Sequence, residues 1–330
     1  MAGRLGLVPV IVEKDFWVCW TLARIFETAE IAPHVVFKGG TSLAKVFGAI
    51  RRFSEDIDLS VSPAALGFTQ GELDDAPSPS QRRKRMQALA AACERCVIER
   101  FQPALEAAIG ALLGAPTQTE SWLRYELDAV AGTPNLLFAY PSALAQAGGY
   151  IAKQVKLEFG ALTDQQPTGQ HYLTALLADA PGADLAAAYD DLRAGVVALE
   201  IIRTFWEKAT ILHAEYHRPA AQPMRDRFAR HYTDFEALWR HPSRDAALAR
   251  LGLLADVVRH KSRFFASNWA HYDTAAPGSF KLVPPAARLP ALAQDYAAMA
   301  PMFMSTPLGF EALLKRLAAA ERQLNDGSVG

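Results

Sequence analysis

Hydrophobic spacing divides the chain into a mixed front part and a helical rear part. In residues 13 to 29, EKDFWVCWTLARIFETA, the side chains of Phe16, Trp17, Trp20, Leu22, Ala23 and Phe26 recur at helical intervals, which predicts a helix packed on a core. IAPHVVFKGG then reads as a short strand, Val35 to Lys38, stopped by Gly39-Gly40. TSLAKVFGAI reads as a short helix that Thr41 or Ser42 can cap. RRF leads into a second strand, SEDIDLSV. Residues 62 to 81 are turn-rich, and Arg82 to Gly114 is an alanine-rich helical stretch in which Pro103 kinks the helix or starts a second one. Residues 121 to 130 and 150 to 159 read as strands. In the latter, Ile151, Lys153, Val155, Leu157 and Phe159 fall on one face and Ala152, Gln154, Lys156 and Glu158 on the other. Residues 163 to 195 are mixed, with a loop around QQPTGQ. From Leu199 the pattern is helical almost to the end, broken near Pro219–Pro223 and Pro277–Pro290, and no internal repeat is visible.

The expectation is therefore an α+β chain. A mixed-sheet part spans residues 1–165, with a helical insertion at about 80–115, and a mainly helical part spans residues 166–330. A length of 330 residues suits two such parts, and 51% hydrophobic against 21% charged residues is enough for sizeable cores. A net charge of −1 excludes nucleic-acid binding by bulk charge, so any such partner is held by a local patch. The three cysteines, Cys19, Cys93 and Cys96, suit a reducing compartment rather than a disulfide framework. Cys93 and Cys96 form one C-x-x-C inside a helical pattern, with no second pair at zinc spacing, and read as buried or incidental thiols. No apolar run approaches the roughly 18–20 residues of a membrane span. Glu13-Lys14-Asp15 interrupts the place where a secretory signal would have its apolar centre. The expected location is the cytoplasm, with no membrane partner.

One stretch carries chemistry. In a strand, residues two apart share a face, so Ser54, Asp56 and Asp58 point together while Ile57 and Leu59 enter the core. Two carboxylates so placed repel one another unless a cation lies between them. Hard divalent cations such as Mg²⁺ or Mn²⁺ take oxygen ligands of this kind together with phosphate oxygens. The competing reading is a solvated strand edge. Glu158, flanked by apolar residues on its own strand, is a candidate third metal ligand. Gly39-Gly40 ends a strand and opens a helix, where backbone N–H groups can approach a phosphate. The pattern is neither a P-loop nor G-x-G-x-x-G.

KGGTSLAKVFGAIRRFSEDIDL resembles the opening motif of the nucleotidyltransferase superfamily with the DNA polymerase β-like palm. More narrowly, it is similar to the AbiEii/AbiGii toxin family of abortive-infection and toxin–antitoxin systems. Three further stretches carry that closer resemblance: IVEKDFWVCWTL, RTFWEKATILHAEYHRP with Glu207-Lys208, and RHYTDFEAL with Asp234. The resemblance spans roughly residues 8 to 270. It implies a palm with a mixed sheet, followed by a helical domain that completes the active site. Gly39, Gly40, Thr41, Ser42 and Ser54 would hold the nucleotide, Asp56 and Asp58 the metal, and Lys208 and Asp234 would finish the site. It implies an NTP substrate, Mg²⁺ or Mn²⁺, an RNA acceptor such as the tRNA 3′ end, a block of translation that serves phage defence, and a cognate antitoxin encoded nearby. Nucleotidylation or phosphorylation of a protein, with Ser54 itself a possible acceptor, is the enzymatic alternative. A non-catalytic RNA- or nucleotide-binding module is the other.

The remaining charged groups are less specific. Lys208 lies at the margin of the apolar stripe formed by Ile202, Phe205, Trp206, Ala209 and Leu212. From spacing alone it is a solvated lysine; the resemblance makes it a triphosphate contact. His213 and His217 are one helical turn apart, but HAEYH is not H-E-x-x-H, and packing or substrate contact is the better reading. Residues 199 to 270 hold 12 Lys and Arg against 8 Asp and Glu. Arg218, Arg225, Arg227, Arg230, Arg259, Lys261 and Arg263, near Phe264, Phe265 and Trp269, suit either an RNA surface or ordinary surface charge. Arg82-Arg83-Lys84-Arg85 opposes the dipole of the helix it opens and so favours a functional role.

Overall fold

The computed structural model describes residues 8–69, 72, 78–117, 119–129, 131–144, 152–179 and 189–327. Ile151 and residues 1–7, which entered the strand and signal-sequence readings, lie outside them. The chain divides into two units, Met1–Val46 with Ser54–Leu199, and Phe47–Phe53 with Glu200–Gly330.

The first unit is built on a seven-stranded mixed sheet of order β3-β4-β5-β2-β1-β7-β6. Helix α1 (Pro9–Glu27) precedes β1 (Val35–Lys38) and the short α2 (Gly39–Lys45). β2 (Asp56–Val61) returns antiparallel to β1. Helices α3 (Pro79–Cys96) and α4 (Gln102–Leu113) follow, joined through the π-type turn Val97–Phe101, and Pro103 stands in the first turn of α4. The backbone stays helical through this join, so Pro103 follows a π-type turn within a continuing helix rather than a break in the chain. β3 (Leu123–Leu127), β4 (Pro134–Phe138) and β5 (Val155–Gly160) complete one half of the sheet, with β5 parallel to β2. β6 (Thr168–Thr174) and β7 (Arg193–Leu199) form an antiparallel pair on the other side, with β7 parallel to β1. The sheet thus runs past residue 165, where the helical part was expected to begin.

Strand alternation separates two faces. Phe37, Ile57, Leu59, Leu136, Phe138, Val155, Leu157 and Phe159 are all but inaccessible, and cross-strand partners among them share one side, as in Ile57 opposite Leu157. Trp17 and Trp20 of α1 lie against Phe138 on that side, and Phe101 lies against Phe159. The opposite face carries Lys38, Asp56, Asp58, Lys156 and Glu158. β4, missed in sequence, is buried at every position, so it shows no alternation to read. The three cysteines are free and buried, and burial pushes the Cys19 and Cys93 thiols up to about 12.

The second unit is helical: α5 (Ile201–His217), α6 (Ala229–Arg240), α7 (Ser243–Leu248), α8 (Leu251–Phe264), α9 (Leu289–Ala298) and α10 (Phe310–Asn325). Phe205, Trp206, Phe235, Trp239 and Phe280 form its aromatic core. The segment Phe47–Phe53 joins this unit through an antiparallel bridge between Arg52 and Phe303. No helix among the described residues is long and apolar enough to cross a membrane.

Candidate active site

In the first unit the glycines and the aspartates meet. Lys38, the last residue of β1, pairs with Asp58 of β2, so the turn into α2 lies beside the Asp58 side chain. Gly39 has φ +82°, and a Cβ built there would fall 2.0 Å from Asp58 Oδ2. Only glycine permits both the backbone angle and the approach. Gly40 lies within the helix.

Thr41 and Ser42 are buried and neither caps α2, which begins at Gly39 without a side-chain cap. The expectation of a cap is corrected here. The Thr41 hydroxyl instead reaches the entry of β2, within 2.5 Å of the Asp56 carbonyl oxygen and 2.9 Å of Ser54 Oγ. Thr41 therefore ties the glycine turn to the strand that carries the aspartates. Ser54 precedes the strand and stands in this hydrogen-bond chain rather than in the alternation of β2.

Asp56 and Asp58 are half-buried on one face, as their spacing predicts, while Ile57 and Leu59 are fully buried. The parallel register sets Asp56 opposite Lys156 and Asp58 opposite Glu158. Burial, together with the carboxylates of Glu158, Asp58 and Glu55, pushes the Asp56 carboxyl up to about 6, against the pull of Lys156. Lys156 reaches Glu158 Oε1 at 2.5 Å and Asp128 Oδ2 at 3.5 Å. Burial works against its charge, but Glu158, Asp56 and Asp128 outweigh burial and raise its pKa. Among the described residues, no group of three or more His, Cys, Asp and Glu side chains is placed to hold a metal ion by itself.

Helix α1 braces this motif through three consecutive charges whose role spacing did not reveal. Glu13 accepts from the Ala143 N–H and the Ser142 hydroxyl. Lys14, 3% exposed, donates to Glu55 at 2.6 Å and to the Ala152 carbonyl. Asp15 takes Lys45, at the end of α2, at 2.7 Å and the Leu176 N–H at 2.6 Å. The residue before Asp56 and the helix after Gly39 are thus both anchored to α1. The sequence signal was available: charges within an otherwise apolar helical stripe must find partners.

In the second unit Lys208 and Asp234 are in direct contact. Lys208 Nζ donates to Asp234 Oδ2 at 2.7 Å and lies 3.1 Å from His231 Nδ1. Arg52, not foreseen from sequence, grips the same carboxylate through Nε at 2.7 Å and Nη2 at 2.9 Å. Burial tends to raise the Asp234 pKa, but Arg52 and Lys208 prevail and hold the carboxyl well below the usual range. Burial likewise lowers the Lys208 pKa, opposed by Asp234. Lys208 is therefore not the solvated lysine that spacing suggested. Its charge is buried and carboxylate-paired.

Several of the other basic and histidine groups are engaged. His213 is fully buried: its Nδ1 accepts the Lys281 N–H, and its Nε2 faces the His271 carbonyl and the Thr274 hydroxyl. Burial brings its pKa down to about 4, so it is a neutral packing residue. Lys261, placed by sequence on a basic surface, is 8% exposed and donates to the Glu207 carbonyl. Arg218 pairs with Glu215 and stacks 4.5 Å from the Trp269 ring, and Arg259 pairs with Asp256. In the run that opens α3, Arg85 donates to the Glu72 carbonyl.

Comparison with known proteins bears on this arrangement. The family model described as nucleotidyl transferase AbiEii toxin, type IV toxin–antitoxin system, matches residues 20–316. No curated protein matches the sequence. Among solved structures, MenT4, nucleotidyltransferase toxin Rv2826c from Mycobacterium tuberculosis H37Rv, aligns over 96% of this chain and 84% of its own, with 17% identity and a TM-score of 0.48.

Proposed function

The chain belongs to the nucleotidyl transferase AbiEii toxin family of type IV toxin–antitoxin systems, and from that premise we propose that it transfers a nucleoside monophosphate from an NTP to the 3′ end of tRNA. In this reading the acceptor hydroxyl attacks the α-phosphate, an oxygen–phosphorus bond forms, pyrophosphate leaves, and the aspartate pair takes up the hydroxyl proton. A tRNA so capped is closed to aminoacylation, translation stops in the cytoplasm, and the cognate antitoxin relieves the block.

One observation carries this reading: Gly39 is pressed against Asp58 so closely that no side chain fits between them. A backbone turn held that near a carboxylate suits a phosphate bridged to an aspartate through a cation. Asp56 and Asp58 offer hard oxygen donors on one face, and the Asp56 pKa is raised by burial first and then by the neighbouring carboxylates, whose repulsion a cation relieves. The donor set fits Mg²⁺ or Mn²⁺, with phosphate oxygens and water completing the shell. Bound there, such an ion supplies charge neutralisation at the α-phosphate. Glu158 is a further carboxylate of this row. Gly39 and Gly40 would present N–H groups to the phosphates, while Thr41, Ser42 and Ser54 shape the turn.

In this proposal Lys208 and Asp234 also belong to the transfer machinery, as the family resemblance implies. Arg52 already satisfies both oxygens of Asp234, so the Lys208 ammonium is able to meet a triphosphate without leaving Asp234 unpaired. As a compact charge it suits the shifting negative charge of the transfer.

The test is incubation with each α-labelled NTP, Mg²⁺ and total RNA. Label in tRNA, lost in Asp58→Ala, is the expected result. Label in protein instead supports nucleotidylation of a polypeptide, and absence of label from every acceptor refutes transfer.

A further inference from the structure

Asn135 of β4 is fully buried, and neither its side-chain oxygen nor its nitrogen has a hydrogen-bond partner. Since both atoms are unpaired, exchanging them does not remove the problem. Asn135 stands directly opposite Glu158 across the antiparallel β4–β5 pair, which places their Cβ atoms roughly 5 Å apart on one face. Glu158 is in turn opposite Asp58. A polar row therefore crosses the sheet: Lys38, Asp58, Glu158, Asn135. The Glu158 carboxylate is drawn to Lys156, which also reaches towards Asp128. Lys156, from the neighbouring row, supplies the positive charge that Glu158 meets at rest, and the amide beside Glu158 is left without a partner.

A buried amide with no partner is a destabilising feature that calls for an explanation. We propose that Asn135 is a positioning residue for Glu158: when a divalent cation on the Asp56/Asp58 face replaces the Lys156 charge, Glu158 leaves Lys156 and accepts a hydrogen bond from Asn135 Nδ2. The amide then fixes the third carboxylate, as an outer-shell group orients a ligand. Lys156 acts as a resting counter-charge that the cation displaces. The inference rests on the reading of the Asp56/Asp58 face as the metal-binding side of the site.

The test is Mn²⁺ binding followed by electron paramagnetic resonance, with no nucleotide present, beside thermal melting of the metal-free protein. Asn135→Leu removes the amide at near-constant size. It is expected to melt at or above the wild-type temperature and to bind Mn²⁺ more weakly, on the order of tenfold. A purely structural asparagine moves the melting temperature alone, and unchanged Mn²⁺ affinity in folded Asn135→Leu overturns the inference. Should that variant not fold, Lys156→Met at its half-buried position decides: tighter Mn²⁺ binding is expected, and unchanged or weaker binding overturns the inference. Asp58→Ala separates the two levels. If it binds Mn²⁺ undiminished, the reading of the site fails and this inference with it. If it loses Mn²⁺ while Asn135→Leu does not, only the inference fails.

Discussion

A Cβ placed on Gly39 would stand 2.0 Å from Oδ2 of Asp58, and the backbone there has φ +82°. Both facts oppose any side chain at this position. Gly39→Ala is expected to lose about 1–3 kcal/mol of stability from the left-handed backbone alone, and to displace the Asp58 carboxylate. Transfer should fall by at least 100-fold. Gly40 lies within the helix, so Gly40→Ala should be near-neutral in stability or slightly favourable. Urea denaturation and labelled-NTP assays of the pair provide the check. A Gly39→Ala enzyme with normal turnover would show that the close approach is not needed.

The Asp56 carboxyl gives a pH signature. Its pKa rises from 3.8 to about 6 on folding, so the folded state holds a proton that the unfolded chain releases earlier. The corresponding stability is present below about pH 4 and is lost as pH rises to about 6, with no further change above. Asp56→Asn should therefore stabilise the metal-free protein at pH 7.5 and not at pH 4. Mg²⁺ should raise the wild-type melting temperature at pH 7.5 but not that of Asp56→Asn. Equal gains from the substitution at both pH values would contradict the assignment of the shift to Asp56.

How much of this was legible in sequence depends on how local the determinant is. β1, the Gly39-Gly40 turn, and the shared face of Asp56 and Asp58 follow from period-two alternation and the properties of glycine, and they stand as read. β4 was missed because Pro134–Phe138 is buried on both faces and so does not alternate. β6 and β7 were missed because the pairing of Gly195 opposite Tyr172, and of Phe37 with Ala198, depends on partners far away in sequence. Arg52 drew no reading beyond its place in RRF before the second strand, and only its packing shows a guanidinium 4% exposed on Asp234. Lys14 and Asp15 carried a signal in plain view, charges inside an apolar helix, whose partners spacing does not name.

Those α1 charges make a prediction of their own. Lys14→Met leaves Glu55 without its 2.6 Å partner, and Asp15→Asn weakens the hold on Lys45 and on the Leu176 N–H. Each is expected to cost about 1.5–3 kcal/mol, the range for hydrogen bonds to charged groups. Glu55 adjoins Asp56, so Lys14→Met should lower kcat by more than it raises the KM for NTP. A variant that loses stability alone, with kcat and KM intact, would confine Lys14 to the scaffold.

The Arg52–Asp234–Lys208 cluster separates structure from catalysis by the choice of substitution. Asp234 is 1% exposed and accepts from two cations. Removing its charge by Asp234→Asn strands both, at a cost of about 3–5 kcal/mol, so inactivity of that variant says little about chemistry. The folded carboxyl titrates well below the unfolded value of 3.8. Its contribution to stability is therefore complete above about pH 5 and is lost as the pH falls through 4 and below. Asp234→Asn should lack that acid-dependent loss. Lys208→Met is the cleaner probe. It keeps the length and apolar stem of the lysine, and Arg52 continues to satisfy both Asp234 oxygens. This variant is expected to melt within a few degrees of wild type and to retain Mn²⁺ binding, while kcat falls by two orders of magnitude or more, in line with loss of one transition-state charge contact. Lys208→Met at wild-type turnover would remove the lysine from the mechanism and leave the cluster as a buried ion network of the helical unit.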